Sequence, residues 1–177
     1  FGASQRGGSV MSHVRISTES PPSPRIPGGL AHLILSLEPI ETLRVLKEFG
    51  NPGIVVISNT RPVHPIGVIS GEHGYPSMEA IRERVEGLAE LSWFVPAGEK
   101  ALELGNPILA NIVLIGALAT MAVLPLNKIE LEKILMSRMS QDKAELNLLA
   151  FQTGMDLMPQ EAGWNSATGR NFIKQHP

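Results

Sequence analysis

Between residues 9 and 17 polar and apolar positions alternate: Val10, Ser12, Val14 and Ile16 share one parity, Met11, His13 and Arg15 the other. A period of two predicts a strand with one more polar face. Prolines at 21, 22 and 24 end it, and Ile26-Pro27-Gly28-Gly29 makes a turn. Residues 32–37, His-Leu-Ile-Leu-Ser-Leu, form a short apolar run of the kind found in buried parallel strands. Glu38-Pro39 then opens a predicted helix to about residue 49, with Ile40, Leu43 and Leu46 on one face. Gly50-Asn51-Pro52-Gly53 stops it, and Ile54-Val55-Val56-Ile57, all β-branched, is the clearest strand in the chain.

A loop of Pro, His and Gly runs from Asn59 to Pro76. Ser77 is the expected N-cap of a helix through residue 91, in which Ile81, Val85, Leu88 and Ala89 hold helical spacing. Residues 92–95 read as another strand, and 99–104 as a short helix ended by Gly105. Asn106-Pro107 starts a long helix of small and apolar residues over 108–123. Asn127, with Glu130 in capping-box position, predicts a helix to about residue 139; Asp142 caps another to about 153, ended by Gly154.

Strands alternating with helices in the first hundred residues predict an α/β fold. The expectation is a three-layer α/β/α domain with a mostly parallel sheet and a helical C-terminal third. It spans residues 1–158, and 159–177 form a polar, aperiodic tail or docking arm.

Composition narrows the chemistry. Hydrophobic residues make up 43% and charged residues 18%, enough apolar side chain for one sizeable core in 177 residues. A formal net charge of −2 gives no electrostatic reason to expect nucleic acid. The longest apolar stretch, 108–126, is interrupted by Asn111, small residues and Pro125, and reads as a buried helix rather than a membrane span. There is no cysteine, so these residues supply no thiolate nucleophile and no thiolate ligand to an iron–sulfur cluster. The first residues lack the apolar core of a secretory signal, and a cytoplasmic location is the default expectation.

Candidate binding residues follow from type and position. Adjacent glycines in Gln5-Arg6-Gly7-Gly8 can turn backbone N–H groups toward an anion, and Arg6 can clamp a carboxylate or phosphate; a tight turn with a surface Arg explains the same letters. Asn59-Thr60 follows a buried strand, at the carboxyl edge where open α/β sheets bind ligands, or simply ends the strand in an Asx-type turn. Ser36 and Glu38 occupy the equivalent place after the preceding strand. Glu38 is a candidate for a ligand or an interface Arg, or compensates a helix dipole. Gly105-Asn106 precedes a helix start, an anion site if exposed, and is equally a C-cap followed by an N-cap. The histidines at 13, 32, 64, 73 and 176 show no metal-ligand spacing; Glu72 and His73 with His64 make a weak signal on a loop. Met121, Leu124, Met136, Met139, Met155 and Met158 gather in the helical third, where some can face a partner rather than the core.

Four segments in series carry a family resemblance: Ser4-Gln5-Arg6-Gly7-Gly8-Ser9-Val10 running into Ser12-His13-Val14-Arg15; Leu35-Ser36-Leu37-Glu38-Pro39 with Glu41-Thr42-Leu43-Arg44; Asn59-Thr60 followed by Pro62; and Leu104-Gly105-Asn106 with 111–118. Over roughly residues 2–152 the chain resembles the gamma-type small subunits of 2-oxoacid (pyruvate and indolepyruvate) ferredoxin oxidoreductases, the indolepyruvate branch most. Relatives open with a strand and a turn of the G-x-G-G-Q-G kind, so the resemblance implies that this N-terminal strand and Gly-rich turn are missing here. It also implies a complex that oxidatively decarboxylates a 2-oxoacid, with coenzyme A as acyl acceptor and ferredoxin as electron acceptor. Thiamine diphosphate and iron–sulfur clusters would reside on a large catalytic partner subunit. The small subunit would contribute Gln5, Arg6, Gly7, Gly8, Glu38, Asn59, Thr60, Gly105 and Asn106 as substrate or coenzyme A contacts, none of them catalytic. Two readings compete with this one: a stand-alone α/β protein binding a nucleotide or acyl-coenzyme A, and a purely structural scaffold. Against the first, no complete G-x-G-x-x-G and no P-loop occur.

Overall fold

The computed structural model describes residues 10–17, 23–64, 66–72, 74–121, 123–124, 128–137 and 140–158. Among these, β1 (Leu33–Ser36), β2 (Val55–Asn59) and β3 (Leu91–Val95) form one parallel sheet in the order β1-β2-β3. Leu33 pairs with Val55 and Val55 with Leu91, so the strands run in step. Every residue of β2 is buried, as a central strand covered on both faces requires.

Helix α1 (Pro39–Phe49) returns the chain from β1 to β2; α2 (Ile66–Ile69) and α3 (Met78–Glu86) return it from β2 to β3. Successive parallel crossovers of one hand put their helices on one face. Leu46 and Phe49 of α1 and Ile81 and Val85 of α3 accordingly share a core with Ile34 and Val56. After β3 the chain passes to the other face through α4 (Ala97–Glu103), a 3₁₀ turn (Pro107–Leu109), α5 (Ala110–Met121), α6 (Lys128–Ser137) and α7 (Gln141–Asp156). Ala101, Val113, Ala117, Ala150 and Phe151 build the second core against Ile57 and Val95. This is the three-layer α/β/α arrangement that the alternating pattern predicts. α5 is apolar around its whole circumference because the sheet lies on one side and α7 on the other. No helix among the described residues is long and apolar enough to cross a membrane.

Several expectations need correction. Residues 10–17 form no strand: Val10, Val14 and Ile16 are exposed, and polar groups hold the segment instead. His13 Nδ1 accepts the Ile26 N–H at 3.2 Å while its ring meets Phe49 edge-on. Arg15 donates to the Ser23 carbonyl and hydroxyl. Alternation makes a strand only where a sheet edge is placed to pair with it. α3 stops at Glu86, because Gly87 turns its N–H back to the Glu83 carbonyl and the chain must reach β3 at Leu91. Ser140, not Asp142, precedes α7, and Gly154 lies inside that helix. Asn127 and Met139 lie outside the described residues. Met121 and Met158 are core residues and Met155 packs against the core, whereas Met136 is 58% exposed.

Gly154 is interior to α7 because α5 crosses it there. A Cβ on Gly154 would press on the Val113 carbonyl oxygen and come within 2.7 Å of its carbon. A Cβ on Gly116 of α5 would meet the Phe151 carbonyl in the same way. Two glycines, one on each helix, let the backbones touch.

Candidate functional site

The buried polar side chains among the described residues are Ser36, Thr42, Ser58 and Asn59. Ser36, Ser58 and Asn59 end β1 and β2, and Thr42 sits in the first turns of α1. They form a polar seam beneath the carboxyl edge of the sheet. Thr42 Oγ1 and Ser58 Oγ share a hydrogen bond of 2.9 Å, and the Ser36 hydroxyl donates to the Glu38 carbonyl at 2.8 Å. Asn59 braces three segments at once. Its Nδ2 donates to the Leu37 carbonyl at 3.1 Å and, more weakly, to that of Arg61; its Oδ1 accepts the buried Gly98 N–H at 3.0 Å. The turns after β1 and β2 and the start of α4 are thereby fixed relative to one another.

Above the seam stands Glu38. Its backbone is extended and its Oε2 accepts the Glu41 N–H at 2.9 Å, which caps α1 where the helix dipole favours a negative charge. Its Oε1 accepts the Tyr75 hydroxyl at 2.5 Å and, at 3.4 Å, the Val63 N–H. The His64 ring stands edge-on to Tyr75 with centroids 4.8 Å apart. Burial, then the hydrogen bond to Glu38 and its charge, push the Tyr75 hydroxyl well above its ordinary titration range, so it stays a donor. Thr60 donates to Glu99 of α4 at 3.4 Å. The exposed Arg61 lays its stem against Gly98, where a Cβ would come 3.0 Å from the Arg61 Cδ.

Glu38, Asn59 and Thr60 all lie at the carboxyl edge, Asn59 as the last residue of β2 rather than just past it, Thr60 next after it and Glu38 two residues after β1. Gly105 and Asn106 do not join them. Gly105 adopts a φ of +82° and the Asn106 Oδ1 accepts the Ile108 N–H, so both residues shape the turn from α4 into the 3₁₀ segment. Gln5, Arg6, Gly7 and Gly8 lie outside the described residues, as do His73 and His176. Among the described residues no three metal-ligating side chains gather. Sequence reasoning missed Tyr75 and Gly98. The Tyr75-Pro76 pair just before the Ser77 cap was the available signal for the first; the second is visible only through its contact with Asn59.

Similarity to known proteins covers nearly the whole of this frame. The family model described as pyruvate ferredoxin/flavodoxin oxidoreductase matches residues 1–157. Indolepyruvate oxidoreductase subunit IorB of Pyrococcus horikoshii is 36% identical over 155 residues, 87% of this chain and 76% of that protein. The proteins of the same name in Thermococcus kodakarensis and Archaeoglobus fulgidus are 32% and 35% identical, over 92% and 86% of this chain and 80% and 75% of theirs.

Proposed function

The chain belongs to the pyruvate ferredoxin/flavodoxin oxidoreductase family, and from that premise we propose that it is the small subunit of an indolepyruvate-type 2-oxoacid:ferredoxin oxidoreductase. The observation that carries the reading is that relatives named as indolepyruvate oxidoreductase subunits match at least 86% of this chain and three quarters of their own length. The reaction is oxidative decarboxylation of an aryl-pyruvate: coenzyme A takes the acyl group, carbon dioxide and a proton leave, and a pair of electrons goes to ferredoxin. Thiamine diphosphate and iron–sulfur clusters on a large partner subunit supply that chemistry. A chain without cysteine suits this division, since it brings no thiolate to a cluster.

The role of this chain is to bind and orient. Asn59 and Thr60 hold the carboxyl edge, and Gln5, Arg6, Gly7 and Gly8 are the further binding candidates, adjacent glycines and one guanidinium being suited to a carboxylate or a coenzyme A phosphate. The complex works in the cytoplasm. Co-expression with the large subunit, followed by 2-oxoacid-dependent dye reduction, tests the proposal. Activity only when both chains are present, greatest with indolepyruvate, is the expected result. Arg6→Ala should lower turnover without dissolving the complex; unchanged kinetic constants in that variant would leave the chain a scaffold.

A further inference from the structure

We propose that Glu38 and Tyr75 are positioning residues that fasten the connection between β2 and α3 onto the amino end of α1. They thereby set the wall that the carboxyl edge presents to substrate or coenzyme A in the assembled enzyme. The inference rests on the subunit reading above.

One carboxylate holds three places together. It caps α1 through the Glu41 N–H, and it receives Val63 and Tyr75, which lie 25 and 37 residues further along the chain. Those two residues are the opposite ends of the connection, and the contact between the His64 and Tyr75 rings closes it on itself. Surface loops whose ends meet frequently carry function.

Capping alone does not explain a glutamate here. Asn, Asp, Ser and Thr are the side chains that cap helices well, and Glu is not among them. The additional methylene of Glu38 lets one oxygen reach the helix while the other reaches Tyr75. Burial keeps the Tyr75 phenol protonated, so its hydroxyl stays a donor to Glu38. Val63 and Ile69, on the fastened connection, are 66% and 74% exposed, so these two apolar side chains do not anchor it, and the hydrogen bonds at its ends do.

The test uses the assembled enzyme with Tyr75→Phe and Glu38→Asp. The first keeps the ring and removes the hydroxyl. The second keeps an α1 cap but is one methylene too short to hold Tyr75 as well. Loss of a charge-assisted hydrogen bond should raise amide exchange at Val63, His64 and residues 66–69 about tenfold or more, with exchange in β2 unaltered. KM for coenzyme A or the 2-oxoacid should rise severalfold with little change in kcat. Unchanged exchange and KM in both variants would overturn the inference. So would a fall in kcat at constant KM, which would mean that these groups act in the reacting step, or a rise in exchange throughout the sheet, which would mean a merely structural role. If the wild-type complex oxidises no 2-oxoacid, the subunit reading fails, and the exchange measurement alone decides the fastening.

Discussion

Replacing Gly154 by Ala tests the helix crossing, because two effects of opposite sign act at one atom. In a helix interior Ala is favoured over Gly by about 1 kcal/mol, so propensity alone predicts a stabilised protein. The structure predicts the reverse. The new Cβ would stand 2.7 Å from the Val113 carbonyl carbon and 3.0 Å from the Ala117 nitrogen, and neither is the end of a side chain that can rotate away. Restoring an ordinary separation of about 3.5 Å requires α5 and α7 to part by roughly 1 Å for the carbonyl carbon, and by more for the carbonyl oxygen, which stands nearer. A gap of that size forfeits a quarter to a half of each dispersion contact across it, and Val113, Ala117, Ala150 and Phe151 are all fully buried there. Overpacking of this kind costs about 1–3 kcal/mol, and backbone against backbone belongs at the upper end. The net expectation is a loss of about 2 kcal/mol, or a Tm lower by roughly 4–8 °C for a chain of this size. Denaturant unfolding followed by circular dichroism measures it. Because Gly116 serves the same crossing, Gly116→Ala in the Gly154→Ala background should cost less than in the wild type. A Gly154→Ala protein as stable as the parent, or more stable, would refute the close approach of the two helices.

Asn59→Ala should destabilise by about 2–3 kcal/mol, since it strands the buried Gly98 N–H and leaves the Leu37 carbonyl without its donor; chemical denaturation reads the loss. Tyr75 is the only tyrosine in the chain, so tyrosinate absorbance reports on it alone. Its proton is held more tightly folded than unfolded, so above pH 10, its ordinary value, the unfolded chain binds fewer protons and stability falls as pH rises. This contribution is complete below pH 10, and Tyr75→Phe should lie below the parent in stability at pH 8 with the gap narrowing above pH 10. A gap that stays constant across that range would remove the burial of the Tyr75 hydroxyl, and with it the Glu38 contact, from the account.

The parts of the fold that local pattern controls were legible. Ile54 to Ile57 is β-branched and bounded by turn residues, and it is the heart of the central strand; Ser77 caps α3 as its letter implies. Errors arose where one letter serves two physical ends. Gly154 has the form of a helix stop and is a crossing point, and the two uses separate only when Gly116 is seen opposite. Residues 9–17 alternate like a strand, yet pairing depends on an edge that periodicity does not reveal. At the site, Glu38 and Asn59 were legible as residues near the carboxyl ends of parallel strands. Their partners Tyr75 and Gly98 lie 37 and 39 residues away, and no local rule connects them.

The placement of the polar seam argues for where this subunit does its work. Among the described residues, each buried polar side chain belongs to the carboxyl half of the sheet or to the α1 turn above it. A hydroxyl pair such as Thr42 and Ser58 adds little net stability over an apolar pair of the same shape, because its hydrogen bond replaces bonds to water. Such groups earn their place through geometry instead: Asn59 fixes two turns and the α4 start to one amide, and Glu38 fixes a helix and both ends of a connection to one carboxylate. At the opposite edge Asn51 ties its own turn, through the Gly53 N–H, to the turn before β1, through the Gly29 and Ala31 carbonyls. What distinguishes the carboxyl edge is that its braces are buried polar side chains, and that edge is where parallel sheets meet their ligands, a property that suits a subunit proposed to supply a wall and leave the chemistry to its partner.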